Sequence, residues 1–177
     1  MKPSLTDALC TTCGLCCDGS LFADVELAGE AEAARLEVMG LEIDDDDTGG
    51  GLLVQPCAAL QGKMCGIYAH RPQCCRTFEC RLLQDVRRGT LTVARAKDYI
   101  AEAFERIDKV RELTKQLGHG DEHLPLKERC TDALGFADEP TANPSQDRKR
   151  AELEATMNAV EKLIQRRFLG GGNKNSP

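Results

Sequence analysis

Past residue 90, apolar side chains recur at steps of three and four: Val93, Ala96, Ile100, Phe104, Ile107, Val110, Leu113 and Leu117, ending at Gly118. That period puts them on one face of a long helix, and Thr92 stands where an N-cap hydroxyl belongs. A second stripe, Leu153, Met157, Val160, Ile164 and Phe168, predicts another amphipathic helix over about 145–169 with Gly170 as its stop. Two such stripes pack against each other or cover the rest of the chain.

The first 90 residues carry weaker signals. Ala28 to Met39 is rich in Ala, Glu, Leu and Arg and halts before Gly40, as a short helix does. IDDDDTGGG, residues 43–51, reads as a loop, and Leu52 to Val54 as a short strand that leads through Pro56 to Cys57. HGDEHLPLKERC (119–130) and ADEPTANPSQ (137–146) also read as loops, and GGGNKNSP as a disordered tail over 170–177. The expected class is α+β, mainly helical. A small irregular Cys-rich domain with short strands occupies 1–90, and two long amphipathic helices form an extension packing on it over 91–169.

Composition sharpens this picture. Hydrophobic residues make up 41% of the 177, so a moderate core is available, but aromatics are only 4% with no Trp. A large aromatic ligand pocket is not expected, and something besides aromatic bulk must help hold the fold. The outlying number is ten cysteines, which means disulfides, metal or redox chemistry. The N-terminal stretch has one Lys and no continuous apolar run, and no segment of about 18 apolar residues occurs. A cytoplasmic protein without membrane contact is therefore expected, and its thiols would be reduced, which favours metal over a disulfide framework. The net charge of −6 argues against nucleic acid as partner, since neutralising phosphates needs excess Lys and Arg.

Nine of the ten cysteines lie between Cys10 and Cys80. The first group, CTTCGLCC, holds Cys10, Cys13, Cys16 and Cys17. A C-x2-C spacing lets two sulfurs reach one tetrahedral ion at about 2.3 Å, and Gly14 permits tight backbone wrapping. Three cysteines at i, i+3 and i+6 also match the opening of the bacterial ferredoxin run, so an iron–sulfur cluster is an alternative to zinc. Adjacent side chains such as those of Cys16 and Cys17 point in different directions, so one of the pair should face a second centre. The remote ligands would come from Cys57, Cys65, Cys74, Cys75 and Cys80, giving thiols enough for two four-sulfur sites or one bridged cluster. Isolated Cys130 reads as a small buried hydrophobe.

The order C-x2-C-G-x-C-C, a lone Cys, then C-x-I-Y-x-x-R-P-x-x-C-R-x-F-x-C resembles the YkgJ-type cysteine cluster family, a zinc- or iron-chelating domain. The matching stretch runs from Cys10 to Cys80. Carried over position by position, the resemblance implies eight metal ligands: Cys10, Cys13, Cys16, Cys17, Cys57, Cys65, Cys75 and Cys80. Cys74 and Cys130 are extra, and R-P-x-x-C-R sets the register at Cys75. Glu79 replaces the Pro common in relatives, a change that touches backbone stiffness more than ligation. Some relatives are associated with lysine methylation of flagellin, but no methyl-donor site is identifiable in this chain.

The function expected is chelation of zinc or iron through cysteine thiolates, with an iron–sulfur redox or group-transfer enzyme as the alternative. Between the ligands, Tyr68 and Phe78 either pack or support the site, and Arg71 and Arg76 either lie in solvent or offset thiolate charge. Asp44 to Asp47 lacks the spacing of a calcium loop and reads as solvated. His70, His119 and His123 read as surface residues before ligands, and no nucleophilic triad or phosphate loop is present.

Overall fold

Short apolar runs broken by glycine cannot build long strands, and the cysteine-rich part of the chain folds accordingly. The computed structural model describes residues 5–45, 49–135 and 143–170. It divides into a cysteine-rich unit, 6–78 with 122–127, and a helical unit formed by the described residues of 79–121 and 128–170. The mainly helical α+β class expected from the sequence is the class found.

In the cysteine-rich unit, α1 (Leu5–Cys13), β1 (Asp24–Glu26), α2 (Glu30–Val38), β2 (Ile43–Asp44) and β3 (Leu52–Val54) follow one another. A hairpin of β4 (Leu60–Gln61) and β5 (Met64–Cys65), a 3-10 turn (Tyr68–His70) and α3 (Gln73–Thr77) complete it. β3 lies at the centre of an antiparallel sheet ordered β1-β3-β2, with Leu53 opposite both Val25 and Ile43. The strand expected at Leu52 to Val54 is therefore the sheet's middle. Ile43–Asp44, expected as loop, pairs with it instead, because the sheet supplies hydrogen bonds that a two-residue run cannot signal alone. Asp46 and Asp47 of the acidic run lie outside the described residues.

α2 ends as its sequence predicts. Gly40, at φ +82, donates to the Glu37 carbonyl, and Leu41 donates back to Leu36, so the last carbonyls are satisfied by a left-handed glycine. Leu36 and Leu41 then join Leu27, Leu53 and Cys57 in a small buried core.

The helical unit contains α4 (Arg81–Arg87), α5 (Val93–Gln116), α6 (Leu126–Leu134, whose first two residues belong to the other unit) and α7 (Pro144–Ile164), which runs into a π turn (Gln165–Leu169). Thr92 caps α5, its hydroxyl accepting from the Arg95 amide at 3.2 Å. α5 packs on α7. The stripe Ala96, Ile100, Ala103, Ile107, Val110 and Leu113 is buried, as are Leu153, Met157, Val160, Ile164 and Phe168. Ala103 takes the central place expected of Phe104, which is only half-buried, because a small residue lets two helices approach closely.

α6 corrects the loop expected over 119–130. Leu126, Cys130 and Ala133 recur at steps of four and three and are buried, which is a helical stripe too short to stand out among Lys127, Glu128 and Arg129. Most of the 137–146 segment and of the 170–177 tail lies outside the described residues. Among the described residues no helix is long and apolar enough to cross a membrane.

If α5 and α7 are held by their facing stripes, Ile107→Ala, at a fully buried site, should cost about 2–5 kcal/mol, against about 1 kcal/mol for the cap variant Thr92→Ala. Urea unfolding measures both. Equal, small losses would mean that the stripe is not the unit's core.

Candidate metal centre

The CTTCGLCC segment is half helix and half turn. Cys10 and Cys13 occupy the last turns of α1, three residues apart and so on one face. Gly14 ends the helix at φ +72, and a Cβ there would lie 3.2 Å from the Cα and carbonyl oxygen of Lys63. Glycine is thus needed twice over, for the left-handed backbone and for the close approach to the β4–β5 hairpin that carries Cys65. The Gly14 carbonyl accepts from the amides of Cys17 (2.9 Å) and Asp18 (3.1 Å), which wraps the chain around Cys16 and Cys17. Leu15, fully buried, anchors the turn.

Two further segments are tied to this turn. The Cys57 amide donates to the Cys17 carbonyl at 2.8 Å, fixing the lone cysteine beside the first group. Cys74 and Cys75 ride on α3, whose first amide, that of Gln73, donates to Glu32 Oε1 at 3.0 Å. The other Glu32 oxygen accepts from the Ala28 amide at the start of α2, also at 3.0 Å. One carboxylate therefore caps two helices far apart in sequence. At the far end of α3, Phe78 meets the Phe22 ring edge-on with centroids 5.2 Å apart.

The thiols that come together are those of Cys17, Cys57, Cys65, Cys74 and Cys75, and Cys17, Cys57 and Cys74 also touch the leucine core. Burial first, and then the neighbouring Cys57 and Cys65, push the Cys17 thiol up to about 12, with Arg71 acting against them. Burial likewise raises Cys57, against a hydrogen bond from the Ala59 amide. Cys74 Sγ and Cys75 Sγ lie 3.9 Å apart and share one hydrogen bond. Their mutual hydrogen bond lowers the Cys74 thiol and raises that of Cys75, so the pair gives up one proton more readily than the other.

That separation departs from the expectation that adjacent side chains diverge. The donor set is all sulfur, as zinc or iron prefers. Among the described residues, however, no three His, Cys, Asp or Glu side chains already stand as the ligands of one ion. The residues present fit a thiophilic metal by chemistry and by neighbourhood.

The remaining expected ligands are placed as follows. Cys10, Cys13 and Cys16 are half-buried on α1 and its following turn. Cys80 belongs to the helical unit, where it is the N-cap residue of α4; burial raises its thiol while the Leu83 and Leu82 amides lower it. Cys130 is 3% exposed on α6 and is raised by burial to about 11, as a packed cysteine should be. His70, His119 and His123 are exposed. Glu32 was not singled out by its sequence. Its place three residues after the N-cap of α2 is a helix signal, but nothing local announces Gln73 as its second partner.

Removing that shared cap with Glu32→Ala should cost about 1 kcal/mol and speed hydrogen exchange at the Gln73 amide, with Ile107 amide exchange as the internal control. No change at Gln73 would show that the carboxylate does not hold α3. In metal-free protein the raised Cys17 thiol favours folding below its ordinary value of 9.0, and this contribution is lost as pH rises toward about 12. The stability difference between the parent chain and Cys17→Ala, followed by urea unfolding, should therefore shrink from pH 9 upward. A difference that grows with pH would contradict the assigned burial.

No curated protein and no solved structure matches the chain. The model of one family does, the CxxCxxCC domain, described as "Putative zinc- or iron-chelating domain", over residues 9–101. That match takes in just over half of the chain, from the residue before the first cysteine to beyond Cys80, and on it the chain belongs to the CxxCxxCC family.

Proposed function

We propose that this protein chelates zinc or iron through cysteine thiolates in a reducing, cytosolic setting, with Cys10, Cys13, Cys16, Cys17, Cys57, Cys65, Cys75 and Cys80 as ligands. The observation that carries the reading is the meeting of Cys17, Cys57, Cys65 and Cys75, four thiols from four separate segments, of which Cys57 and Cys17 also join the small leucine core. Their mutual repulsion as anions would be relieved by a bound cation, and the positive charge of Arg71 already acts in that direction on Cys17. Membership of the CxxCxxCC family supports the same chemistry. Cys80, in the other compact unit, enters the set on the resemblance alone.

A bound metal supplies fixed positive charge that replaces thiol protons. The chain's part is to gather the sulfurs, shield them with leucines and hold the cysteine turn with Gly14. Chelation then belongs to the cysteine-rich segment within residues 1–90. Because each ligand must lose its proton, and Cys17 holds its proton up to about 12, metal affinity rises with pH.

Purification with and without oxygen, followed by elemental analysis and an absorption spectrum, tests the proposal. Zinc without visible absorption or iron without labile sulfide fits simple chelation; iron with labile sulfide and visible bands moves the assignment to an iron–sulfur centre. Absence of both metals from the purified, reduced chain would sink it. Cys→Ser variants at the eight positions should each lower metal content, whereas Cys74→Ser and Cys130→Ser should not. Loss of metal from Cys74→Ser with retention in Cys75→Ser would shift the ligand register by one residue.

A further inference from the structure

The helical unit has a cleft of its own, of about 460 Å3, walled by α4, the chain that follows it, the first turns of α5 and the π turn. Three arginines, Arg81, Arg88 and Arg167, line it against a single carboxylate, Asp85. The lining therefore carries an excess of two positive charges in a chain whose net charge is −6. Such a reversal of sign in a concave place attracts anions that the rest of the surface repels.

The guanidinium groups are held in position. Asp85 Oδ1 binds Arg88 Nη2 at 2.6 Å, and Asp85 Oδ2 lies 3.5 Å from Arg81 Nε, so one carboxylate fixes two arginines and leaves further donors on each. The guanidinium carbon of Arg167 sits over the Tyr99 ring, 4.0 Å from its centroid. It is brought there by the π turn, an irregularity that costs regular helix hydrogen bonding and is common at functional sites. Asp85 is itself fixed, since its backbone carbonyl accepts from the amides of Thr90 and Leu91 and from the Thr90 hydroxyl. Leu82 and Leu91 give the cleft an apolar wall.

From this arrangement we propose that the cleft binds a small phosphorylated molecule, its phosphoryl group held by Arg81, Arg88 and Arg167 and its apolar body resting on Leu82 and Leu91. A phosphoryl group offers three terminal oxygens to three guanidinium groups, where a carboxylate offers two. The volume lies within the range of small-molecule sites, about 300–1,000 Å3, and too little of it is basic to track a nucleic-acid backbone. Holding the arginines in advance reduces the ordering that binding would otherwise require.

Titration of the full-length, metal-loaded chain with phenyl phosphate at constant ionic strength, followed by calorimetry and by amide resonances, tests this. Saturable binding is expected, with shifts confined to residues 81–91, 99 and 165–169. Benzoate, which keeps the ring and replaces the phosphoryl group with a carboxylate, should bind at least tenfold more weakly. Arg167→Ala and Arg88→Ala should each weaken phenyl phosphate at least tenfold. Arg167→Lys should not restore it, because an ammonium group lacks the planar fork of donors that a guanidinium offers. Lys97→Ala, which removes one charge from α5 outside the cleft lining, should change affinity less than twofold. The proposal is overturned by absence of saturable binding, by equal affinity for benzoate, or by an equal loss in Lys97→Ala, which would mark general charge attraction. Circular dichroism of each variant ensures that a loss reflects the cleft and not unfolding.

Discussion

The cysteine-rich unit is governed by one constraint: the thiols of Cys17, Cys57 and Cys75 crowd together in surroundings that hold their protons. A unit of about 80 residues has a core that by itself rarely supplies more than about 3–5 kcal/mol, and here four leucines and Cys57 make up its buried cluster. Thiols fill places around that cluster that larger side chains would otherwise take. While protonated they pack as small hydrophobes. As thiolates they would repel one another, so the same geometry that is tolerable in the protonated state becomes strongly favourable only when a cation is shared among them. The Gly14 approach to Lys63, the bond from Cys57 to Cys17 and the Glu32 cap on α3 all act to keep these sulfurs near one another.

The helical unit is stabilised differently. Its two long helices bury continuous stripes, each well-buried aliphatic side chain contributing about 1.5–3 kcal/mol, and the thiol of Cys130 is buried in this unit only as a small packed side chain. Its polar chemistry is correspondingly separate. Arginines on α4 and the π turn are arranged by Asp85 and Tyr99 and owe nothing to cysteine.

How much of this was legible in the sequence follows from how local each cause is. α5, α7, the Thr92 cap, the Gly40 stop and the strand at Leu52 to Val54 are written in neighbouring residues and were readable there. α6 was not, since three buried apolar positions in a nine-residue charged segment give too weak a period. β2 exists because β3 lies beside it, and two residues cannot announce a partner. For the metal centre, the residue types and their spacing were plain, and so was the family. What could not be read was that Glu32 spans 41 residues to cap α3, or that the sulfurs of Cys74 and Cys75 stay within 3.9 Å. The arginine cleft assembles residues from 81 to 167, with no contiguous motif at all.

The long downstream motif acquires a physical reading once its residues are placed. Ile67 packs on the leucine core and so sets the depth at which the following turn begins. The carbonyl of Tyr68 accepts from Arg71 Nε at 3.1 Å and its ring lies 3.7 Å from the guanidinium, so Arg71 is oriented by Tyr68 and not by a thiol. From that fixed position its charge favours ionisation of Cys17. Pro72, buried, sits at the N-cap of α3, where its missing N–H is no loss and the next amide is left for Glu32. Phe78 closes the helix against Phe22. Nothing in the structure explains Arg76, which is exposed. The motif thus combines three tasks in sixteen residues: Cys65 and Cys75 bring sulfur, Ile67, Pro72 and Phe78 fix the backbone that carries it, and the Tyr68–Arg71 pair delivers a positive charge that favours the Cys17 thiolate.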